Sequence, residues 1–172
     1  MIDAGSVRGS SATCYVSIGT NLGDRARHLD FALRALGAVR ETRVAALSPI
    51  FETDPVGPPP QGAYLNAVAR VETALAPRAL LDALLVIERG AGRERSVRNA
   101  ARTLDLDLLL YGDRLVDEPG LVVPHPRLAE RAFILEPLAA LAPALVHPLL
   151  GVSIASLAER VRDPRAVRVW QR

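Results

Sequence analysis

The 172-residue sequence contains no lysine, so all of its 21 cationic side chains are arginine. A lysine cannot therefore serve as a point charge in a phosphate loop or form a Schiff base, and a bound phosphate would have to be held by arginine or by backbone N–H groups. The single cysteine, Cys14, excludes an internal disulfide and is typical of a cytoplasmic protein. We expect Cys14 to be a buried structural thiol.

Aromatic residues make up only 4% of the chain, so the core must consist mostly of Leu, Val and Ala. No apolar run reaches the ~20 residues of a membrane-spanning helix, and the first residues lack the apolar centre of a secretory signal, so we expect no membrane association. A net charge of +2 is too small to argue for a nucleic-acid partner. Length and apolar content predict a flexible tail over 1–12 and a single domain over 13–172.

The periodicity of apolar residues predicts a mixed fold. Alternation predicts strands at 13–20, 43–53, 63–75 and 102–113, and spacing of three to four residues predicts helices at 24–39, 76–92, 131–143 and 153–161. Two short strands are expected before Pro124, and the end of the chain, 165–170, is expected to add a strand or simply to pack. The order β-α-β-β-α-β is the ferredoxin-like, split βαβ pattern, an α+β fold. We expect two layers, with the helices on one face of a mostly antiparallel sheet.

Two aspartates stand among leucines in the segment RTLDLDLLLYGD, residues 102–113. In a strand, Asp105 and Asp107 point to the same face with Cα atoms about 6.6 Å apart, while the neighbouring leucines point into the core. Two unpaired carboxylates on one face of a buried strand would repel each other, at a cost of several kcal/mol or the protonation of one of them. The pattern therefore favours cations beside the pair.

Magnesium suits this pair, because Mg²⁺ commonly takes one or two carboxylates and completes its octahedron with waters and substrate phosphates. Two Mg²⁺ ions about 3.5–4 Å apart would clamp the attacking and leaving oxygens of an in-line displacement. Arg102 precedes the pair, and Arg93, Arg95 and Arg98 lie in the polar segment before it. We interpret the group as a polyphosphate site, with a plain surface salt-bridge network as the alternative.

A second cluster is centred on His125. Pro124 and Pro126 restrict the backbone around this imidazole, which could donate to a phosphate oxygen. Arg131 and Phe133 follow, and Phe133 is either a core residue or a stacking platform. A purely structural histidine is the alternative.

A third cluster surrounds the proline-rich segment 54–62. Thr53 precedes it, and Tyr64 and Asn66 follow on one strand face. An asparagine amide can pair bidentately with the edge of a heterocycle, and an aromatic ring can cover its flat side. An asparagine that only caps a bulge is the alternative.

Taken in order, these motifs resemble those of the 6-hydroxymethyl-7,8-dihydropterin pyrophosphokinases of folate biosynthesis. The resemblance runs from about Tyr15 to about Leu157 and rests most on RTLDLDLLLYG, with support from SIGTNLGD, SPIFETDPVG, AYLNAV, LLVIERGAGRER and VPHPRLAERAFILEPL. It implies a ferredoxin-like monomer that uses two Mg²⁺ to transfer the β,γ-pyrophosphoryl group of ATP to the hydroxymethyl oxygen of the pterin, giving AMP.

The resemblance also implies roles for individual residues. Asp105 and Asp107 match the magnesium ligands, and Asp107 is best placed to help deprotonate the hydroxyl group. The residues matching ATP contacts are Glu88, Arg93, Arg95, Arg102, His125 and Arg131, of which Arg93 and Arg102 join the aspartates as catalytic groups. The residues matching the pterin pocket are Thr53, Val56, Tyr64, Asn66 and Phe133.

The sequence departs from the family pattern just before Arg102, where the family commonly has Trp, Gly and Pro and this chain has RNAAR. We therefore expect an aromatic group that closes over the pterin to be missing. Two other functions remain open from the residues alone. A ferredoxin-like RNA-binding module would need paired aromatics on its sheet, which these strands lack. Another D-x-D metal enzyme, such as a nuclease or sugar-nucleotide transferase, is distinguished by its products.

Overall fold

The computed structural model describes residues 11–55, 60–92, 101–163 and 166–171. Its strands are β1 (Ala12–Thr20), β2 (Thr42–Leu47), β3 (Phe51–Thr53), β4 (Tyr64–Thr73), β5 (Asp105–Tyr111), β6 (Val116–Glu118), β7 (Leu121–Val123) and β8 (Val167–Val169). Its α-helices are α1 (Arg25–Ala38), α2 (Pro77–Gly90), α3 (Ala132–Leu141) and α4 (Ile154–Val161). None of the helices in these ranges is long and apolar enough to cross a membrane.

The main sheet has the strand order β5-β1-β4-β3-β8, with β2 also paired to β4, and all of these pairings are antiparallel. Taking β2 and β3 as one interrupted strand, the order along the chain is β-α-β-β-α-β. The predicted ferredoxin-like α+β core is therefore confirmed. The two short strands β6 and β7 form a separate hairpin that leads to the predicted second cluster around His125.

The prediction of one continuous strand over 43–53 is wrong, because the segment divides into β2 and β3. At the break, the hydroxyl of Ser48 accepts a hydrogen bond from the Val68 N–H at 2.9 Å, and the Ser48 N–H donates to the Val68 carbonyl at 2.9 Å. Pro49 follows and has no N–H with which to continue a ladder. The serine and proline together end β2, and β3 resumes the pairing with β4 at Phe51, which lies opposite Asn66.

The prediction that all helices lie on one face of the sheet is also wrong. Alternate residues of β1 separate two apolar clusters: Cys14, Val16 and Ile18 pack with α1 and α2, whereas Tyr15 packs with α3 and α4. The domain therefore has three layers, with two helices on each face. The periodicity of a helix predicts that it buries one side, but carries no information on which sheet face receives it.

Local signals account for where the helices begin. The Asp24 side chain accepts a hydrogen bond from the Arg27 N–H at 3.0 Å and caps α1, as predicted. Pro77 occupies the first turn of α2, where its missing N–H costs nothing. Cys14 is completely buried, and burial raises the pKa of its thiol to about 12, which confirms the expectation of a structural thiol.

Candidate active site

Three adjacent strands bring the predicted site residues onto one face of the sheet. Asp105 on β5 lies opposite Gly19 on β1, and Gly19 lies opposite Asn66 on β4. Asp107 lies opposite Ser17 in the next row of the same face. Helices α3 and α4 cover only the far half of this face, where Tyr15 and Leu110 are buried. The near half is left as an open polar cleft.

The cleft has a volume of about 430 Å³ and brings together eight of the predicted site residues. The eight are Thr53, Tyr64, Asn66, Arg102, Asp105, Asp107, Arg131 and Phe133. They come from three strands, from the segment before β5 and from the start of α3, although the sequence separates them by up to 80 positions. A volume of this size suits a drug-sized or smaller organic molecule.

The two aspartates differ in their surroundings. The Arg102 guanidinium lies 2.6 Å from the Asp105 carboxylate and pairs with it, and the Asp105 side chain is 23% exposed. Burial is the main cause of a raised pKa at Asp107, and the charge of Asp105 raises it further, against the lowering effects of His125, Arg131 and Arg102. The protein therefore holds two carboxylates together at a free-energy cost that its own cations do not remove.

The composition of this donor set fits magnesium. No group of three or more histidine, cysteine, aspartate or glutamate side chains in the described part of the chain could hold a metal by itself. Mg²⁺ does not require such a group, because it commonly takes one or two carboxylates and fills its other positions with waters and substrate phosphates. A bound cation would lower the free-energy cost of holding the ionised Asp107 carboxylate beside that of Asp105.

His125 is not among the residues that line the cleft, but it lies near enough to Asp107 for their charges to interact, and its backbone is held in place. Its N–H donates to the Leu109 carbonyl at 2.9 Å, and its Nδ1 accepts a hydrogen bond from the Arg127 N–H at 3.1 Å. Burial is the main cause of a lowered pKa at His125, although Asp107 acts in the opposite direction. The ring is therefore neutral at pH 7 with its proton on Nε2, which leaves Nε2–H as a hydrogen-bond donor.

The third cluster forms the other end of the cleft. The Asn66 amide donates from Nδ2 to the Thr53 hydroxyl at 2.7 Å, and the Tyr64 hydroxyl donates to Gln61 at 3.1 Å. Asn66 is only 8% exposed, so its Oδ1 faces a sheltered part of the cleft. Gly19 makes room for this amide, since a Cβ at that position would lie 3.1 Å from Asn66 Oδ1.

Phe133 lies in the first turn of α3 and lines the cleft. The Arg131 guanidinium lies 5.5 Å from the centroid of the Phe133 ring, within range of a cation–π interaction. Arg131 thus connects the two ends of the cleft, because its charge also acts on the pKa of Asp107. One side of the cleft is consequently aromatic and cationic, and the sheet on the opposite side carries the carboxylates and the amide.

Glu88, another predicted ATP contact, does not line the cleft. It lies on α2, is 3% exposed, and accepts a hydrogen bond from the Leu106 N–H at 2.8 Å. Since β5 is the edge of the sheet, this contact satisfies an N–H that has no neighbouring strand. Its predicted contact with ATP stays a prediction, as do those of Arg93, Arg95 and Val56, which lie outside the described residues.

Several residues that line the cleft were missed from sequence. Ser17 and Gly19 follow from the register of β1 and could have been found once that strand was paired with β5. Other missed residues line it from neighbouring loops and from the start of α3, namely Asp54, Pro55, Gln61, Arg127, Glu130 and Ala132. The remaining lining residues come from the C-terminal part of the chain, and they carry no sequence signal, because only the folded topology brings them to the cleft.

Comparisons with known proteins show which family the chain matches. Residues 15–143 match the family described as 7,8-dihydro-6-hydroxymethylpterin-pyrophosphokinase (HPPK). The 2-amino-4-hydroxy-6-hydroxymethyldihydropteridine pyrophosphokinase of Pseudomonas aeruginosa is 48% identical over 134 residues, covering 78% of this chain and 83% of that protein. The protein of the same description from Haemophilus influenzae is 37% identical over 157 residues, covering 91% of this chain and 98% of its own length.

Among solved structures, wild-type HPPK-DHPS of Plasmodium falciparum matches with a TM-score of 0.68 at 14% identity, which is evidence for the fold alone. The match covers 90% of this chain, and the chain spans 45% of that longer protein.

Proposed function

This chain belongs to the 7,8-dihydro-6-hydroxymethylpterin-pyrophosphokinase family, and on that basis we propose that it transfers pyrophosphate from ATP to 6-hydroxymethyl-7,8-dihydropterin in folate biosynthesis. The bond that forms joins the β-phosphorus to the hydroxymethyl oxygen, and the bond that breaks joins the β-phosphorus to the oxygen that leaves with AMP. The hydroxyl proton is released. The products are AMP and 6-hydroxymethyl-7,8-dihydropterin diphosphate.

The observation that carries the proposal is the spacing between the carboxylates and the Asn66 amide. Asp105 and Asn66 lie opposite each other across β1, so their Cα atoms are about 10 Å apart at ~4.8 Å per strand. A two-ring heterocycle with a one-carbon arm spans this distance. Its amide-like edge would meet Asn66 and Thr53, its flat side would meet Phe133, and its hydroxymethyl group would reach the aspartates.

At the phosphate end, the proposed roles follow from charge. Asp105 and Asp107 would hold two Mg²⁺ ions, which when bound neutralise the triphosphate and polarise the acceptor oxygen. Arg102 orients Asp105 and has further N–H groups for a phosphate oxygen. Arg131 supplies a second guanidinium, and His125 donates from Nε2. Because pyrophosphoryl transfer makes few covalent demands on a protein, this positioning and charge stabilisation would provide most of the rate.

The residues outside the described ranges are part of the same proposal, on the resemblance alone. Arg93 and Arg95 would hold the triphosphate from the polar segment before β5, and Val56 would contact the pterin. We also propose that the enzyme acts as a cytoplasmic monomer on small molecules. Size-exclusion chromatography with light scattering tests the oligomeric state.

The test of the function is product analysis. The protein is incubated with ATP, Mg²⁺ and 6-hydroxymethyl-7,8-dihydropterin, and nucleotides are separated chromatographically. We expect AMP to appear only when the pterin and Mg²⁺ are both present, and Asp105→Asn to reduce its rate by at least about 100-fold, equivalent to a few kcal/mol of transition-state stabilisation. AMP formed without the pterin would instead indicate another D-x-D enzyme, and no AMP at all would overturn the proposal.

A further inference from the structure

Four residues near the C-terminus complete the side of the cleft that faces Thr53. Val161, Asp163, Ala166 and Val167 line the cleft, and we refer to them as the C-terminal wall. The match to the family ends at residue 143, so the whole wall lies beyond the matched region. Part of the cleft is therefore built from a segment that lies beyond residues 15–143.

The wall is held in register with the amide end of the cleft by backbone contacts. Strand β8 pairs with β3 so that Val167 lies opposite Thr53. The Asp54 N–H donates to the Ala166 carbonyl at 3.0 Å, and the Trp170 N–H donates to the Ile50 carbonyl at 2.8 Å. Because Thr53 is the hydrogen-bond partner of Asn66, the position of Val167 is linked to the residues that face the heterocycle.

Ion pairs on the reverse side of β8 reinforce this register. The Arg168 guanidinium lies 3.2 Å from the Asp54 carboxylate and 3.9 Å from that of Glu52. Glu52 is also paired with Arg25 at the start of α1, at 2.8 Å. Arg168 therefore connects the C-terminal strand to both residues that flank Thr53. These groups are partly exposed, so their loss should cost little global stability.

We propose that the C-terminal wall is a specificity surface of the ring subsite, with Val167 in contact with the edge of the bound heterocycle and Arg168 acting as a positioning residue. This inference rests on the proposed function, because it assumes that the ring lies at the Asn66 end. The inference adds that the affinity for the pterin, and not the affinity for ATP, depends on a segment beyond residues 15–143.

The first test compares two identical changes on the same strand. Val167→Ala removes two methyl groups from the wall, whereas Val169→Ala makes the same change at a side chain that is 60% exposed and lies outside the cleft. We expect Val167→Ala to raise the KM for the pterin about threefold to tenfold, as lost apolar contact predicts, and to leave the KM for ATP unchanged. Val169→Ala should change neither. Val167→Phe should reduce pterin affinity further by occupying the ring's space.

The second test concerns positioning by Arg168. Arg168→Ala should raise the KM for the pterin, with kcat at saturation retained, and Arg168→Lys should restore part of the affinity by keeping a cation near Asp54. Arg162→Ala is the matched control, because Arg162 pairs with Glu159 and Glu136 outside the cleft. Trp170 is the only tryptophan in the chain, so its emission reports whether β8 stays docked in each variant.

The outcomes separate this inference from the function on which it rests. If the wild-type protein forms no pterin-dependent AMP, the function is wrong. If the wild-type protein is active but Val167→Ala and Val167→Phe both retain wild-type KM values for the pterin, the inference is wrong and the function stands. A rise in the KM for ATP equal to that for the pterin would also overturn it, since the wall would then act on the whole cleft.

Discussion

Replacing Asp107 by asparagine should make the metal-free protein more stable while removing its activity. The Cα atoms of residues i and i+2 in a strand are about 6.6 Å apart, and two unit charges at that separation repel by about 2.5 kcal/mol at an effective dielectric constant of about 20. The Arg102 guanidinium, 2.6 Å from the Asp105 carboxylate, offsets part of this repulsion, while the burial of Asp107 adds to its cost. We expect Asp107→Asn to raise the free energy of unfolding by about 1 to 2 kcal/mol at pH 7, or the Tm by about 2–8 °C for a chain of this size.

The pH dependence of this gain follows from the direction of the pKa shift. Burial and Asp105 raise the pKa of Asp107 in the folded protein above its ordinary value of 3.8. Between the unfolded and the folded pKa, the folded state binds more protons than the unfolded chain, so wild-type stability falls as the pH rises through that interval. The advantage of Asp107→Asn should therefore be small near pH 4 and grow to its full value above the folded pKa.

The assay is urea denaturation in EDTA at several pH values, followed by circular dichroism. Asp105→Asn is the comparison, because it removes the same repulsion but also loses the ion pair with Arg102, so its gain should be smaller or absent. Adding Mg²⁺ with a nonhydrolysable ATP analogue should stabilise the wild-type protein more than either variant. An Asp107→Asn variant that is less stable than wild type at pH 7 in EDTA would refute the reasoning.

Three other predictions test separate parts of the structure. Gly19→Ala should displace the Asn66 amide, because its Cβ would lie 3.1 Å from Oδ1; the KM for the pterin should rise in steady-state assays while the KM for ATP is unaffected. Ser48→Ala should lower the free energy of unfolding by about 1–3 kcal/mol in urea denaturation, since it leaves the buried Val68 N–H without its partner. The Cys14 thiol, with a pKa of about 12 and no exposed surface, should react with a thiol reagent at pH 8 only when the protein unfolds.

The parts of the fold that could be predicted from sequence are those that depend on local periodicity. Strict alternation along β4 separates Tyr64 and Asn66 from Leu65 and Ala67, and this division matches the observed faces. The Asp24 cap and the proline at the start of α2 are likewise local. These features depend only on interactions between residues a few positions apart in the chain.

The parts that could not be predicted depend on contacts between distant segments. The apolar residues of α3 recur on nearly every side of the helix, so they do not indicate which face of the sheet it covers. The family resemblance predicts that Glu88 contacts the nucleotide. Its hydrogen bond with the Leu106 N–H could be predicted only once β5 is known to be an edge strand. The contribution of Val167 to the cleft requires the pairing of β8 with β3.

A β-bulge divides β5 into a part that carries the two aspartates and a part that carries only apolar residues. Tyr15 lies opposite Leu110, but Val16 lies opposite Leu108, so Leu109 is an extra residue in the ladder. Before the bulge, the face that carries Asp105 and Asp107 is open to the cleft. After it, the shifted register lets Leu109 and Leu110 both join the apolar cluster beneath α3 and α4. A strand of seven residues can thus be polar at one end and apolar at the other on a single face, because one additional residue separates the half that lines the cleft from the half that packs against the helices.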